Sequence, residues 1–293
     1  MSHIPDDFHA AWREALYYYE IGRHEQARAA FLELLPYAPD DGMLLYYLAA
    51  CAFQLDETDE AERFVREALR NGCDGEMAHS LLGAICMRKE AYVEAEECLL
   101  HALSLNPQNA GIMAQYAFLM LKTGYEEKAR RLMREALRLD PENETVLHYH
   151  FFFQRAFDEK AGQEQTIRQY MHVAESDVDK LTKLGLAALD REDYREAREC
   201  FRQAFLLEPT NRDLLRVLEE VDRVSHPIFF PNRLMQKMGG PIVWWLGFLA
   251  LMTLLRRMEW YGTTAVTAIA YVLLCVYTWI SPVVYKLFRK MMR

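Results

Sequence analysis

A small residue recurs along most of this chain at a fixed spacing of 34 residues. It is alanine in five of six copies, at Ala27, Ala61, Ala95, Ala129 and Ala197, and the remaining copy carries Gln163. Twelve residues beyond this position stands a proline in four of the copies. A repeat of this length is one supersecondary unit, which buries its apolar face only by stacking on its neighbours. The chain is therefore expected to fold as a stack of repeated units.

Each unit is predicted to hold two apolar-periodic helices joined by a short polar turn. In the second unit, for example, MLLYYLAACAFQL precedes DEAERFVREALRNG. The small residue lies on the second helix and lets the two helices cross closely, and the terminal proline or glycine stops that helix. The predicted fold class is all-α, an α-solenoid of helix pairs.

The sequence around the alanines (EQARAAF, DEAERFV, VEAEECL, EKARRLM and REARECF) and the prolines after them resemble the tetratricopeptide repeat (TPR) over roughly residues 8–211. The resemblance implies a right-handed superhelix of six units, at about 8–41, 42–75, 76–109, 110–143, 144–177 and 178–211. The unit 144–177 is degenerate, because Phe151 occupies a position that is small in the other units. Residues 212–224 are expected to form a capping helix on the last unit.

The resemblance also implies a concave groove, lined by the first helix of each unit. Its positions are rich in aromatic and methionine side chains, which suit an apolar or amphipathic segment of a partner protein. The expected partner-binding residues are Trp12, Tyr19, Tyr46, Phe53, Met87, Phe118, Leu121, His148 and Phe152. Packing on neighbouring helices is an alternative role for each of them. The Lys, Asn and Arg clamp of chaperone-binding members of the family is replaced by Trp12, Leu16, Tyr47, Met77 and Leu81.

The composition changes after His226. The stretch 226–241 contains three prolines and two glycines, and residues 225–240 are expected to form an interfacial linker rather than a regular helix. Uncharged runs at 241–255 and 263–285 predict a two-helix transmembrane hairpin over residues 241–285. The second run is about 35 Å long as a helix, whereas the first is only about 22 Å and either spans or forms a re-entrant segment. A buried hydrophobic hairpin in a soluble protein is the alternative.

Charge is distributed unevenly between these two parts. Residues 1–240 carry a net charge of −14 and residues 241–293 a net charge of +5. An acidic body disfavours nucleic acid as a partner, and a basic tail at 286–293 favours anionic membrane lipids. Basic residues outside the two apolar runs outnumber Arg256 and Arg257 between them, which predicts both termini and the repeats on the cytoplasmic side.

The sequence offers no catalytic motif. P-loop, GxGxxG, HExxH and GxSxG patterns do not occur, and the six cysteines include no CxxC pair. His148 and His150, two residues apart on a helix, point to different faces, which disfavours a metal site. We therefore expect no enzyme activity and no cofactor, but a membrane-anchored scaffold or adaptor that binds a partner protein. The alternative is a structural subunit of a membrane complex, homo- or hetero-oligomeric, that assembles through the hairpin.

Overall fold

The computed structural model describes the backbone of residues 8–291 and the side chains of these residues other than 237, 283 and 286–291. Within that range the chain forms helices and no strand, which confirms the all-α prediction. Six helix pairs come first: α1 (Phe8–Glu20) with α2 (His24–Leu34), α3 (Gly42–Gln54) with α4 (Thr58–Arg70), α5 (Gly75–Arg88) with α6 (Tyr92–Leu105), α7 (Ala110–Lys122) with α8 (Glu126–Leu139), α9 (Glu144–Ala156) with α10 (Lys160–Val173), and α11 (Asp177–Asp190) with α12 (Tyr194–Leu207).

Five further elements follow the helix pairs. They are α13 (Arg212–Ser225), a 3-10 turn (Pro227–Phe229), α14 (Phe230–Lys237), α15 (Gly240–Arg257) and α16 (Tyr261–Met291). The chain divides after Leu218 into two compact units. We call them the repeat unit and the C-terminal unit.

The first helix of each pair from α3 onward begins at a side-chain cap. The oxygen of the capping residue accepts a hydrogen bond from a backbone N–H two or three residues ahead, and the caps are Asp41, Asp74, Asn109, Asn143 and Ser176. Three of these caps stand two residues after the repeated proline. The proline thus ends one unit and the cap starts the next, and each cap stabilises its helix by about 1 kcal/mol.

The repeated alanines lie where the two helices of a pair cross. All five are fully buried. The opposing position on the first helix is equally restricted: a Cβ added at Gly83 would lie 2.8 Å from the side chain of Leu99, and one at Gly185 would lie 2.8 Å from the ring of Phe201. Small residues are therefore required on the first helix of these pairs as well as the second.

In the fifth helix pair, α9 with α10, buried polar groups stand where the other pairs have the small residue. Gln163, at the alanine position, is buried. Beside it the His150 ring lies 3.3 Å from Gln154 Nε2 through one nitrogen and 3.3 Å from Thr166 Oγ1 through the other. Phe151 is fully buried and packs against Ile167. The degenerate unit therefore keeps its two helices but holds them together by different chemistry.

The first helix pair also contacts the last one. The backbone N–H of His24 donates a hydrogen bond to the Glu208 carboxylate at 3.2 Å, across 184 residues of sequence. Next to it, a Cβ added at Gly22 would lie 2.5 Å from Ser176 Oγ, and the positive φ of +79° favours glycine there. The repeat unit therefore curls until its first and last helix pairs meet.

The C-terminal unit corrects the expectation of an irregular linker at 225–240. Pro227 and Pro231 lie at the starts of the 3-10 turn and of α14, where the N–H that proline lacks would have no helical partner. Prolines that resemble helix breakers in the sequence are helix starters here. The segment is attached to α16 by a hydrogen bond from the Tyr277 hydroxyl to the carbonyl of Ile228, at 2.9 Å.

α15 and α16 pack side by side, with the rings of Phe248 and Tyr271 stacked 4.0 Å apart. By length and composition, one helix of the described chain qualifies to cross a membrane: Tyr261–Pro282 within α16, whose most apolar 18-residue stretch has no buried residue. α15 passes the same test only together with Pro227–Gln236, as a pair bent by 74°. Pro282 does not end α16, which continues to Met291.

Candidate partner-binding cavity

The concave face of the repeat unit contains an open cavity of about 430 Å³. One part of its wall comes from the C-terminal turns of α3, α5 and α7, and the other from α9, α10 and the start of α11. Phe53, Met87 and Phe118 form the apolar part of the wall. Because these side chains belong to successive first helices, they line the cavity in the order of the repeats.

Four of the nine residues expected to bind a partner line this cavity: Phe53, Met87, Phe118 and His148. The others lie elsewhere on the concave side or pack on neighbouring helices. Trp12 contacts Phe31 edge-on, and Tyr19 and Tyr46 contact Tyr47. Leu121 packs against the largest buried hydrophobic cluster of the repeat unit, and Phe152 packs on His148. Tyr19 and Tyr46 remain half-buried, and burial raises the pKa of Tyr46 to about 12. The structure therefore places four of the nine residues at the cavity, and the role of all nine in partner binding stays a prediction.

Charged residues that the sequence did not single out also line the cavity. Arg88 is held in place by three contacts: its Nη1 donates to the carbonyl of Phe53 at 2.6 Å, lies 3.5 Å from Asp56 Oδ1, and its guanidinium sits 3.9 Å above the Phe53 ring. Lys122 is exposed, with its Nζ 5.8 Å from the Phe118 ring. Glu144 and Asp179 provide carboxylates from the first turns of α9 and α11.

Behind His148 and Tyr170 in this wall lies a buried lysine. Lys183 is only 3% exposed; its Nζ lies 3.1 Å from His148 Nδ1 and 3.8 Å from the centre of the Tyr170 ring. Burial lowers the pKa of Lys183 to about 8, and attraction to Asp179 and Glu144 opposes that shift. Burial and the nearby ammonium group lower the pKa of His148, so the imidazole is neutral and accepts a hydrogen bond from Lys183.

Glu144 accepts a hydrogen bond from the Tyr170 hydroxyl at 3.0 Å. Its side chain is exposed toward the cavity, yet the protein atoms around its carboxylate raise the pKa of Glu144, and the charge of Asp179 raises it further. Among the described residues, no cation lies within 4 Å of the carboxylate of either Glu144 or Asp179. This end of the cavity therefore combines two carboxylates that lack a direct ion pair with one ammonium group buried behind them.

Comparison with known proteins identifies the repeats. Residues 12–76, 78–109 and 178–211 match profiles described as Tetratricopeptide repeat. A TPR repeat-containing protein of Pseudomonas aeruginosa is 30% identical over 127 residues, which are 43% of this chain and 22% of that protein. The Vi polysaccharide export protein VexE of Salmonella typhi is 29% identical over 145 residues, 48% of this chain and 19% of that protein. The chain thus spans about a fifth of the length of these two curated relatives.

A solved structure has the same fold. It is a tetratricopeptide repeat protein from Parabacteroides merdae, which superimposes with a TM-score of 0.54 and 15% sequence identity over 74% of this chain and 85% of that one. The 34-residue register, the six helix pairs, five of them with a buried alanine at the crossing, and the matching profiles lead to one conclusion. The chain carries tetratricopeptide repeats, at residues 12–76, 78–109 and 178–211.

Proposed function

We propose that this protein is a non-enzymatic, membrane-anchored scaffold or adaptor that binds a segment of a partner protein in the cavity of its repeat unit. The cavity is the observation that carries the proposal. Its volume of about 430 Å³ lies in the range typical of ligand sites, and its walls combine aromatic and methionine side chains with a few polar groups. The tetratricopeptide repeats of the chain support a role in protein binding.

The composition of the cavity favours an amphipathic segment over a purely apolar one. Phe53, Met87 and Phe118 offer an apolar surface to such a segment, while Glu144 and Asp179 offer charge at the other end. A segment with apolar side chains on one part and polar side chains on the next would match both surfaces.

The membrane part of the proposal is supported by α16. A helix of this length and composition that leaves most of its apolar side chains exposed within the described chain needs another apolar environment. With α15 beside it, the pair would form the expected hairpin, with the repeats on the cytoplasmic side. Anchoring would raise the effective concentration of the repeat unit near partners in the same membrane.

The cavity can be tested by removing its aromatic wall. We expect the Phe53→Ser, Phe118→Ser double variant to recover its main partner about 30-fold less efficiently, because loss of a buried aromatic anchor typically costs 2 kcal/mol or more. The measurement is quantitative mass spectrometry of proteins that co-purify with the full chain from detergent-solubilised membranes. A matched control replaces Val93 and Leu105, exposed on α6, by serine. An unchanged set of partners with a folded double variant would contradict the proposal.

A further inference from the structure

The fixed charges of the cavity are unevenly matched. Arg88 already contacts a carbonyl, a carboxylate and an aromatic ring, so its charge is largely satisfied within the protein. Glu144 has only the Tyr170 hydroxyl as a hydrogen-bond partner, and Asp179 has no ion pair within 4 Å among the described residues. At the end formed by α9 and α11, the uncompensated charge is therefore negative, whereas the exposed Lys122 ammonium lies beside the Phe118 ring.

Lys183 does not remove this imbalance. Its ammonium group is attracted to both carboxylates. Its Nζ, however, contacts the His148 ring and the Tyr170 ring instead of a carboxylate oxygen. Tyr149 adds a second, half-buried aromatic ring to the same wall. Aromatic faces attract cations, and this attraction is strongest where water is excluded.

We propose that Glu144 and Asp179 form a subsite for a lysine or arginine side chain of the bound partner segment, in the cavity whose wall also carries the Tyr149 ring. This inference rests on the function proposed above and specifies the chemistry of the partner. The net charge of residues 1–240, which is −14, also favours a basic partner segment. A calcium or magnesium ion fits less well, because such ions take six or more oxygen ligands, and the described residues form no group of three or more ligating side chains.

The subsite has a consequence for pH dependence. A guest cation beside Glu144 and Asp179 would repel the ammonium of Lys183, which then releases its proton more easily. Since the pKa of Lys183 is already about 8, affinity for a basic guest should rise as the pH increases through that value. The groups facing Lys183 are His148 and Glu144 from α9, Tyr170 from α10 and Asp179 on its own helix. Asp179 is in turn faced by Tyr19 and His24 from the first helix pair. Ionisation of Glu144, whose pKa is raised, acts in the same direction.

The experiment uses the full chain in detergent micelles and a displayed library of random 12-residue peptides. We expect the selected peptides to share one arginine or lysine among apolar residues. Replacing that arginine by citrulline, which has nearly the same shape without the charge, should weaken binding about tenfold, the size of a charge-assisted hydrogen bond. On the Glu144→Gln, Asp179→Asn variant, the arginine and citrulline peptides should bind alike. Glu127→Gln, an exposed position on α8, is the matched control and should preserve the difference.

Affinity of the arginine peptide should also rise about tenfold between pH 7 and pH 9, and this rise should be lost in Lys183→Met. Arginine is the better probe because it does not titrate in this range. Binders that lack a basic residue, or equal affinity of the arginine and citrulline peptides for the unmodified chain, would overturn the subsite and leave the proposed function intact. A library that gives no binder would contradict both. The citrulline comparison needs no protein variant, so a folding defect cannot obscure it.

Discussion

The Ile269→Asp, Leu273→Asp double variant is expected to leave the membrane. Both side chains are more than 60% exposed on α16, one turn apart on the same side of the helix. Each aspartate near the centre of a membrane-spanning helix costs about 2.5–3.5 kcal/mol of insertion free energy, so the pair removes roughly 5–7 kcal/mol. In carbonate extraction, the unmodified chain should stay in the membrane pellet and the variant should appear mainly in the supernatant.

The matched control carries the same charges on an apolar surface of the repeat unit. Val93→Asp with Leu100→Asp changes two exposed positions of α6, and its membrane fraction should equal that of the unmodified chain. If the α16 variant remained in the pellet while the control behaved normally, α16 would not be a membrane span.

A second large effect is expected in the first helix pair. Phe31 is fully buried between Trp12, whose ring meets it edge-on at 5.5 Å, and Tyr47, whose ring stacks on it at 5.3 Å. Phe31→Ala should lower the free energy of unfolding of the repeat unit by about 3–5 kcal/mol, because the neighbouring rings cannot close the space left behind. Urea denaturation followed by circular dichroism measures this loss.

Tyr17→Ala provides the comparison, since Tyr17 lies on the same pair with 58% of its surface exposed. Its change in stability should stay within about 0.5 kcal/mol. Equal stabilities for the Phe31 and Tyr17 variants would mean that the aromatic cluster around Phe31 contributes little to the fold.

The helix pairs were predictable because their determinants are local. The small residue at each crossing, the proline that ends a unit and the cap two residues later all lie within one 34-residue window, as at Ala95, Pro107 and Asn109. The prolines after His226 were misleading because a proline starts a helix or breaks one according to its position relative to the helix start. Composition does not specify that position.

The charged end of the cavity was not predictable in this way. Glu144 and Asp179 stand in first turns of helices, where acidic residues are ordinary, and Tyr170 lies on a second helix, outside the positions expected to face the groove. A weak signal was present at Lys183, which interrupts the apolar side of α11 and becomes buried. The contact of Gly22 with Ser176 depends on the rotation accumulated over several repeats, which no local pattern specifies.

The central claim is that a partner protein occupies the repeat cavity. Its most direct test is photocrosslinking in native membranes, with a benzophenone amino acid in place of Phe118, inside the cavity, or of Val93, outside it. We predict a crosslinked product of defined mass from position 118 that is absent from position 93 and reduced by Phe53→Ser. The same products from both positions, or none from position 118, would contradict the claim.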